Sequence, residues 1–128
     1  MTLDLLIGSN EDLSSLVEAF GDRVFPVYTG PDEAGGFYAV LEPPISDSPN
    51  EPPEFHAQHM ASAIEGLPPL LLATWNRCTS RIFDFGFESG THPSSLSYDL
   101  SQDSLARISA CGASCRITVY PVPVAPNP

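Results

Sequence analysis

The sequence predicts a single two-layer α+β domain: a mixed or antiparallel sheet with two or three helices on one face. Three observations predict it. Short β-branched and aromatic runs alternate with segments whose apolar residues recur at helical spacing. Glycines and prolines punctuate the boundaries between these segments. The 128 residues, 42 % of them hydrophobic with seven phenylalanines, are the usual size of one domain and supply one core despite 14 prolines.

Leu3 to Ile7 reads as the first strand, ended by Gly8-Ser9-Asn10. Ser9 is placed as a helix N-cap, with Glu11 and Asp12 in the first turn, where the helix dipole favours acids. Leu13, Leu16, Val17 and Phe20 follow at helical spacing, and Gly21 stands at the C-terminal position. Val24 to Tyr28 reads as a strand whose Pro26 demands an edge or a bulge. After the turn residues 29–36, Phe37 to Leu41 is a third strand. Residues 42–53 carry five prolines and read as an acidic surface loop.

Glu54 to Glu65 is the second helix, with Phe55, Met60, Ala63 and Ile64 assigned to its apolar stripe and Gly66 and Pro68-Pro69 enforcing its end. Leu70 to Trp75 is open between strand and helical turn. From Arg81 to Glu88 the alternation is clear, with Phe83, Phe85 and Phe87 on one side and Asp84, Gly86 and Glu88 on the other. Leu96 to Leu100 reads as a strand. Ser101 caps a third helix carrying Leu105 and Ile108, ended near Gly112. Cys115 to Tyr120 is the last strand, with Cys115, Ile117 and Val119 facing the core and Arg116, Thr118 and Tyr120 facing out. The domain is set at residues 1–120, with 121–128 a proline-rich tail. Ser9, Leu13 and Leu16 echo Ser101, Leu105 and Ile108 at an offset of 92 residues, which suggests pseudo-duplicated strand–helix–strand halves.

The charge is lopsided. The first 76 residues hold twelve acids against Arg23 alone, whereas residues 77–128 hold four acids and four arginines. The net charge is −11 and there is no lysine. Such a field repels nucleic acid and anionic lipid and attracts a basic partner. A polyanion binder would need clustered cations, which five arginines do not supply.

Candidate chemistry is sparse. His56 and His59 stand at i, i+3 and could share a metal, but no HExxH pattern accompanies them. Cys111 and Cys115, with Cys78 and His92, lack the spacing of a zinc motif, and Cys115 is expected in the core. There is no G-x-S-x-G elbow and no P-loop. Asp84 and Glu88 lie roughly 13 Å apart along one strand, wide for a glycosidase pair. The expectation is therefore a protein that is not an enzyme and has no metal and no cofactor. The N-terminus shows no signal peptide, the longest apolar run is too short for a bilayer, and the odd cysteine count fits a reduced cytoplasm.

The stretch RIFDFGFESGTHPSSLSYDLSQDSLARISACGASCRITVYP, residues 81–121, resembles a small bacterial family catalogued only as a domain of unknown function. It matches in its alternating aromatics, glycine turn, capped helix with Leu-x-x-Ile and β-branched strand ending Tyr-Pro. The first strand and helix, and Gly36-Phe37-Tyr38, fit loosely, whereas segment 42–53 departs from the pattern. The resemblance implies the terminal strand–helix–strand fold and no active site. It also implies kinship with immunity-type proteins found near secreted toxin genes.

Composition and resemblance together predict a cytoplasmic immunity or inhibitor protein that neutralises a basic toxin or enzyme through an acidic surface. The expected contacts are Asp32, Glu33, Glu42, Asp47, Glu51 and Glu54, with Tyr38 and Trp75 as aromatic anchors. A DNA-mimic regulator of a nucleic-acid enzyme is the first alternative. A small-ligand-binding domain using His56 or His59, in a pocket between sheet and second helix, is the second.

Overall fold

The computed structural model describes residues 1–44, 51–88 and 97–121. The elements in chain order are β1 (Thr2–Ser9), α1 (Ser14–Phe20), a 3-10 turn (Gly21–Arg23), β2 (Phe25–Pro31), β3 (Phe37–Glu42), α2 (Pro53–Glu65), α3 (Pro69–Arg77), β4 (Ser80–Glu88), α4 (Gln102–Ala110) and β5 (Ser114–Tyr120). They form an α+β domain with one five-stranded mixed sheet in the order β2-β3-β1-β4-β5. Only the β4–β5 pair is parallel.

Alternation along the strands decides which face is covered. Leu3, Leu5 and Ile7 of β1, Ala39 and Leu41 of β3, and Phe83 and Phe85 of β4 are buried and belong to one core with residues of all four helices and Val24. The intervening positions Asp4, Leu6, Val40 and Ile82 are half-buried on the opposite face. The helix layer thus lies on one side of the sheet, and among the described residues no helix covers the other side.

Three side chains tie the helices to one another and to the sheet. Arg81 of β4 donates through Nη1 to the carbonyls of Trp75 (3.0 Å), Asn76 (3.2 Å) and Cys78 (2.9 Å), and through Nε to that of Gly112 (2.9 Å). A cation is thereby held at the C-terminal end of α3, where free carbonyls and the helix dipole favour it. The fully buried Trp75 donates its indole N–H to the Cys111 carbonyl at 2.8 Å. Glu54, in the first turn of α2, accepts the Ser101 backbone N–H (2.6 Å) and the Ser104 hydroxyl (2.8 Å), which ties the start of α4 to α2.

Several expectations need correction. Ser9 does not cap α1: the helix starts at Ser14, and Ser9 is buried at the end of β1, accepting the Glu11 N–H. Glu11 and Asp12 precede the helix, and Asp12 accepts the Ser14 N–H instead. Phe55 is exposed, because the buried stripe of α2 runs through Ala57, Met60, Ala61 and Ile64, a phase that leaves position 55 outside. Residues 70–75 are helical, within α3. Residues 97–100 form no strand. Ser101 does cap α4, accepting the Ser104 N–H, but Leu105 is exposed and the inward positions are Ser104, Ile108 and Cys111. Cys115, Ile117 and Val119 are exposed, because among the described residues the helices do not cover these positions of β5.

There are four α-helices among the described residues, against the two or three expected. The echo between halves is partial. β1–α1–β2 and β4–α4–β5 are both strand–helix–strand units, yet β3 lies between β1 and β2 while β4 and β5 are neighbours. Pro26 marks both an edge strand and a bulge, as its chemistry demands. Residues 122–128 of the tail and 45–50 of the loop lie outside the described residues.

Candidate partner-binding face

The uncovered face of the sheet has three zones. At one end, the β2–β3 connection turns at Asp32, whose N–H donates to the Gly36 carbonyl and whose Oδ1 accepts from Ala34 N–H. Gly35 and Gly36 take φ of 101° and 77°, conformations that side chains disfavour. The Tyr28 ring folds back over Gly30, where a Cβ would stand 2.9 Å from the phenol oxygen, and its hydroxyl donates to the Pro31 carbonyl at 2.6 Å. This places Tyr28 against Tyr38, with ring centroids 4.9 Å apart. Tyr28, Pro31, Asp32, Glu33 and Tyr38 line an open hollow of about 470 Å³.

The middle zone is apolar. Val40, Leu6 and Ile82 stand side by side across β3, β1 and β4.

The far end is a row of carboxyls. Glu42, Asp4 and Asp84 are cross-strand neighbours on β3, β1 and β4, and Arg116 of β5 closes the row. Asp84 is only 9 % exposed and accepts the Thr118 hydroxyl at 2.7 Å. Asp4 has a buried Oδ1 with no hydrogen-bond partner among the described residues. Burial first, then Glu42 by charge and by a side-chain hydrogen bond, then the charge of Asp84, raise its pKa to about 6. Asp4, Glu42, Glu88, Tyr98 and Tyr120 line a cleft of about 480 Å³ here. Tyr98 stacks on Phe87 at 5.0 Å.

The sequence-predicted contacts separate on this frame. Asp32, Glu33 and Tyr38 come together at the tyrosine end. Glu42 lies at the other end of β3, about 13 Å from Tyr38 by strand rise. Glu51 is half-buried just before α2. Glu54 is committed to α4, and its hydrogen bonds to Ser101 and Ser104 hold its carboxyl below the ordinary value. Asp47 lies outside the described residues. Trp75 is withdrawn as an anchor, since it is fully buried under the Arg81 guanidinium. Asp84 lies on the face that the alternation of β4 assigns it, whereas Asp4 and Tyr28 were missed as members of that face. Asp4 interrupts the apolar run Leu3–Ile7, which was the available signal.

The surplus charge is partly paired. Glu11 meets Arg77 at 3.1 Å and Glu65 meets Arg107 at 2.7 Å, both on the helix layer. Arg81 points to that side too, so Arg116 is the side-chain cation of the uncovered face among the described residues. His59 bonds the Arg23 carbonyl at 2.8 Å, and burial lowers the pKa of His56. No three His, Cys, Asp or Glu side chains gather to hold a metal among the described residues. Cys78, Cys111 and Cys115 are free, the first two buried, and burial raises all three thiols. Among the described residues no helix is long and apolar enough to cross a membrane. No protein-family model, curated protein or solved structure matches the chain.

Proposed function

We propose that this protein is a binding module that takes a basic protein partner on the uncovered face of its sheet. In its sharper form, it is a cytoplasmic immunity or inhibitor protein that neutralises a basic toxin or enzyme. The observation that carries the reading is the Tyr28–Tyr38 pair standing beside Asp32 and Glu33, continued by the apolar band to the Glu42–Asp4–Asp84 row. Tyrosine faces accept a guanidinium by cation–π contact, and neighbouring carboxylates accept its hydrogen bonds. The apolar band supplies the desolvated centre that a stable interface needs.

The test uses the protein as immobilised bait in lysate of its source cells. A basic partner that elutes with moderate salt, and is lost to bait carrying Asp32→Lys and Glu33→Lys, supports the reading. Partners held equally by wild-type and reversed bait at low and high salt overturn it.

The cleft beside Asp4 favours a second reading, a site for a small organic cation, since carboxyls and tyrosines converge there. A thermal-shift screen with amines separates the two. A DNA mimic is disfavoured: Asp84 is buried and burial raises the Asp4 pKa to about 6, so the row is a poor copy of a solvent-exposed, fully ionised phosphate backbone.

A further inference from the structure

We propose that the outer edge of β5 is a self-association surface, on which a second copy of this chain adds its own β5 antiparallel to form one continuous sheet. The two edges of the sheet differ in kind. β2 is blunted by Pro26, by the bulge between Pro26 and Tyr28, and by Pro31. β5 runs from Ser114 to Tyr120 with no proline, no acid and no register break against β4. Such a strand offers its outer N–H and C=O groups as a template for pairing.

The side chains point the same way. The register sets Cys115, Ile117 and Val119 beside Phe83, Phe85 and Phe87, on the face that helices cover elsewhere. Over β5 the described residues leave that face open, with Ile117 and Val119 71 % and 62 % exposed. A twofold axis through Ile117 pairs Ile117 with Ile117 and Cys115 with Val119, keeping the apolar set on one side. A shift of one residue would oppose Ile117 to Arg116 and break the pattern.

Charge selects the occupant. The surplus acids lie in the first 76 residues, and β5 carries Arg116 as its single charge. Two copies of a −11 chain repel across most surfaces, but not here. In the twofold register Arg116 faces Thr118 of the second copy, not its Arg116. An interface of one strand per copy is small, so the dimer belongs in the micromolar class.

The test is sedimentation of the full chain in reducing buffer over a wide concentration range, with Ile117→Lys as the disrupting variant. Position 117 is exposed, so the lysine leaves the fold intact. A concentration-dependent dimer whose Kd rises at least tenfold in Ile117→Lys supports the proposal. Val119→Cys supplies an independent readout. Mild oxidation is expected to link it to native Cys115 of the second copy, and Cys115→Ser in that background abolishes the link. Within one chain those positions lie about 13 Å apart, too far for a disulfide. A monomer at all concentrations without a cross-link overturns the proposal. So does a monomer that dimerises only after residues 122–128 are removed, which would make the tail the occupant of the edge.

Discussion

Asp4 stands directly beside Glu42 on this face, and burial, reinforced by Glu42, lets Asp4 keep its proton up to about pH 6. A carboxyl raised in the folded state above its unfolded value binds its proton more tightly when folded. Its contribution to stability is therefore fully present below about pH 4 and is lost as pH rises through 6. Asp4→Asn is expected to raise the thermal midpoint at pH 7.5 and to leave it nearly unchanged at pH 4. Two pH units amount to ~3 kcal/mol unscreened, and solvent access to Asp4 reduces this to about 1 kcal/mol. Thermal unfolding of both proteins across this range checks it. An equal difference at both pH values would contradict the Asp4–Glu42 relationship.

Glu54 titrates in the opposite sense. Its carboxyl is held below the ordinary value by the Ser101 and Ser104 hydrogen bonds. The stability it contributes is present above its unfolded pKa and disappears as pH falls through its folded one. Glu54→Ala is expected to lower the denaturation midpoint at neutral pH and to fray α4. Ser101→Ala removes the α4 cap and costs about 1 kcal/mol. A double-mutant cycle in guanidinium is expected to show coupling, since both residues serve the same helix start. Strict additivity would separate them.

Gly86 is, with Gly8, one of the tightest sheet positions. A Cβ there would stand 2.6 Å from Thr2 Oγ1 and 3.0 Å from the Tyr120 ring. Gly86→Ala is expected to destabilise by about 1–3 kcal/mol through overpacking and to alter the cleft beside Asp4. Equilibrium denaturation measures the first effect and tyrosine fluorescence the second.

Trp75→Phe removes the bond to the Cys111 carbonyl and leaves that acceptor unsatisfied under the helix layer. A loss of about 1–3 kcal/mol is expected. Arg81→Lys keeps the charge but loses the forked geometry that spans four carbonyls, so it too is expected to lower the midpoint. A neutral result for both would mean that the α3 end is held by packing alone.

Much of the fold was legible because its signals are local. The apolar run Leu3–Ile7, the alternation in Arg81–Glu88, the glycine at position 21 and the Ser101 cap each depend on a few neighbouring residues. What failed depends on tertiary placement. Ile117 and Val119 carry the alternation of a half-buried strand, yet nothing local says that the described helices leave these two positions exposed. Phe55 was read one phase out because its bulk outweighed the small Ala57 and Ala61. The charge asymmetry was visible in composition, but Asp32 and Glu42 share a strand–turn unit and still end up at opposite ends of the sheet. The Glu42–Asp4–Asp84 row joins three strands far apart in the chain, and only the pairing register reveals it.

The most direct measurement follows backbone amide shifts while an oligoarginine peptide is titrated into the protein at low salt. Changes are expected to cluster at Tyr28, Asp32, Glu33 and Tyr38 and along β1 and β3 towards Glu42. They should weaken steeply with added salt and vanish in Tyr38→Ala with Asp32→Asn. Shifts that instead track every exposed acid alike, including Glu18 and Asp22 on the helix side, would contradict a partner-binding face.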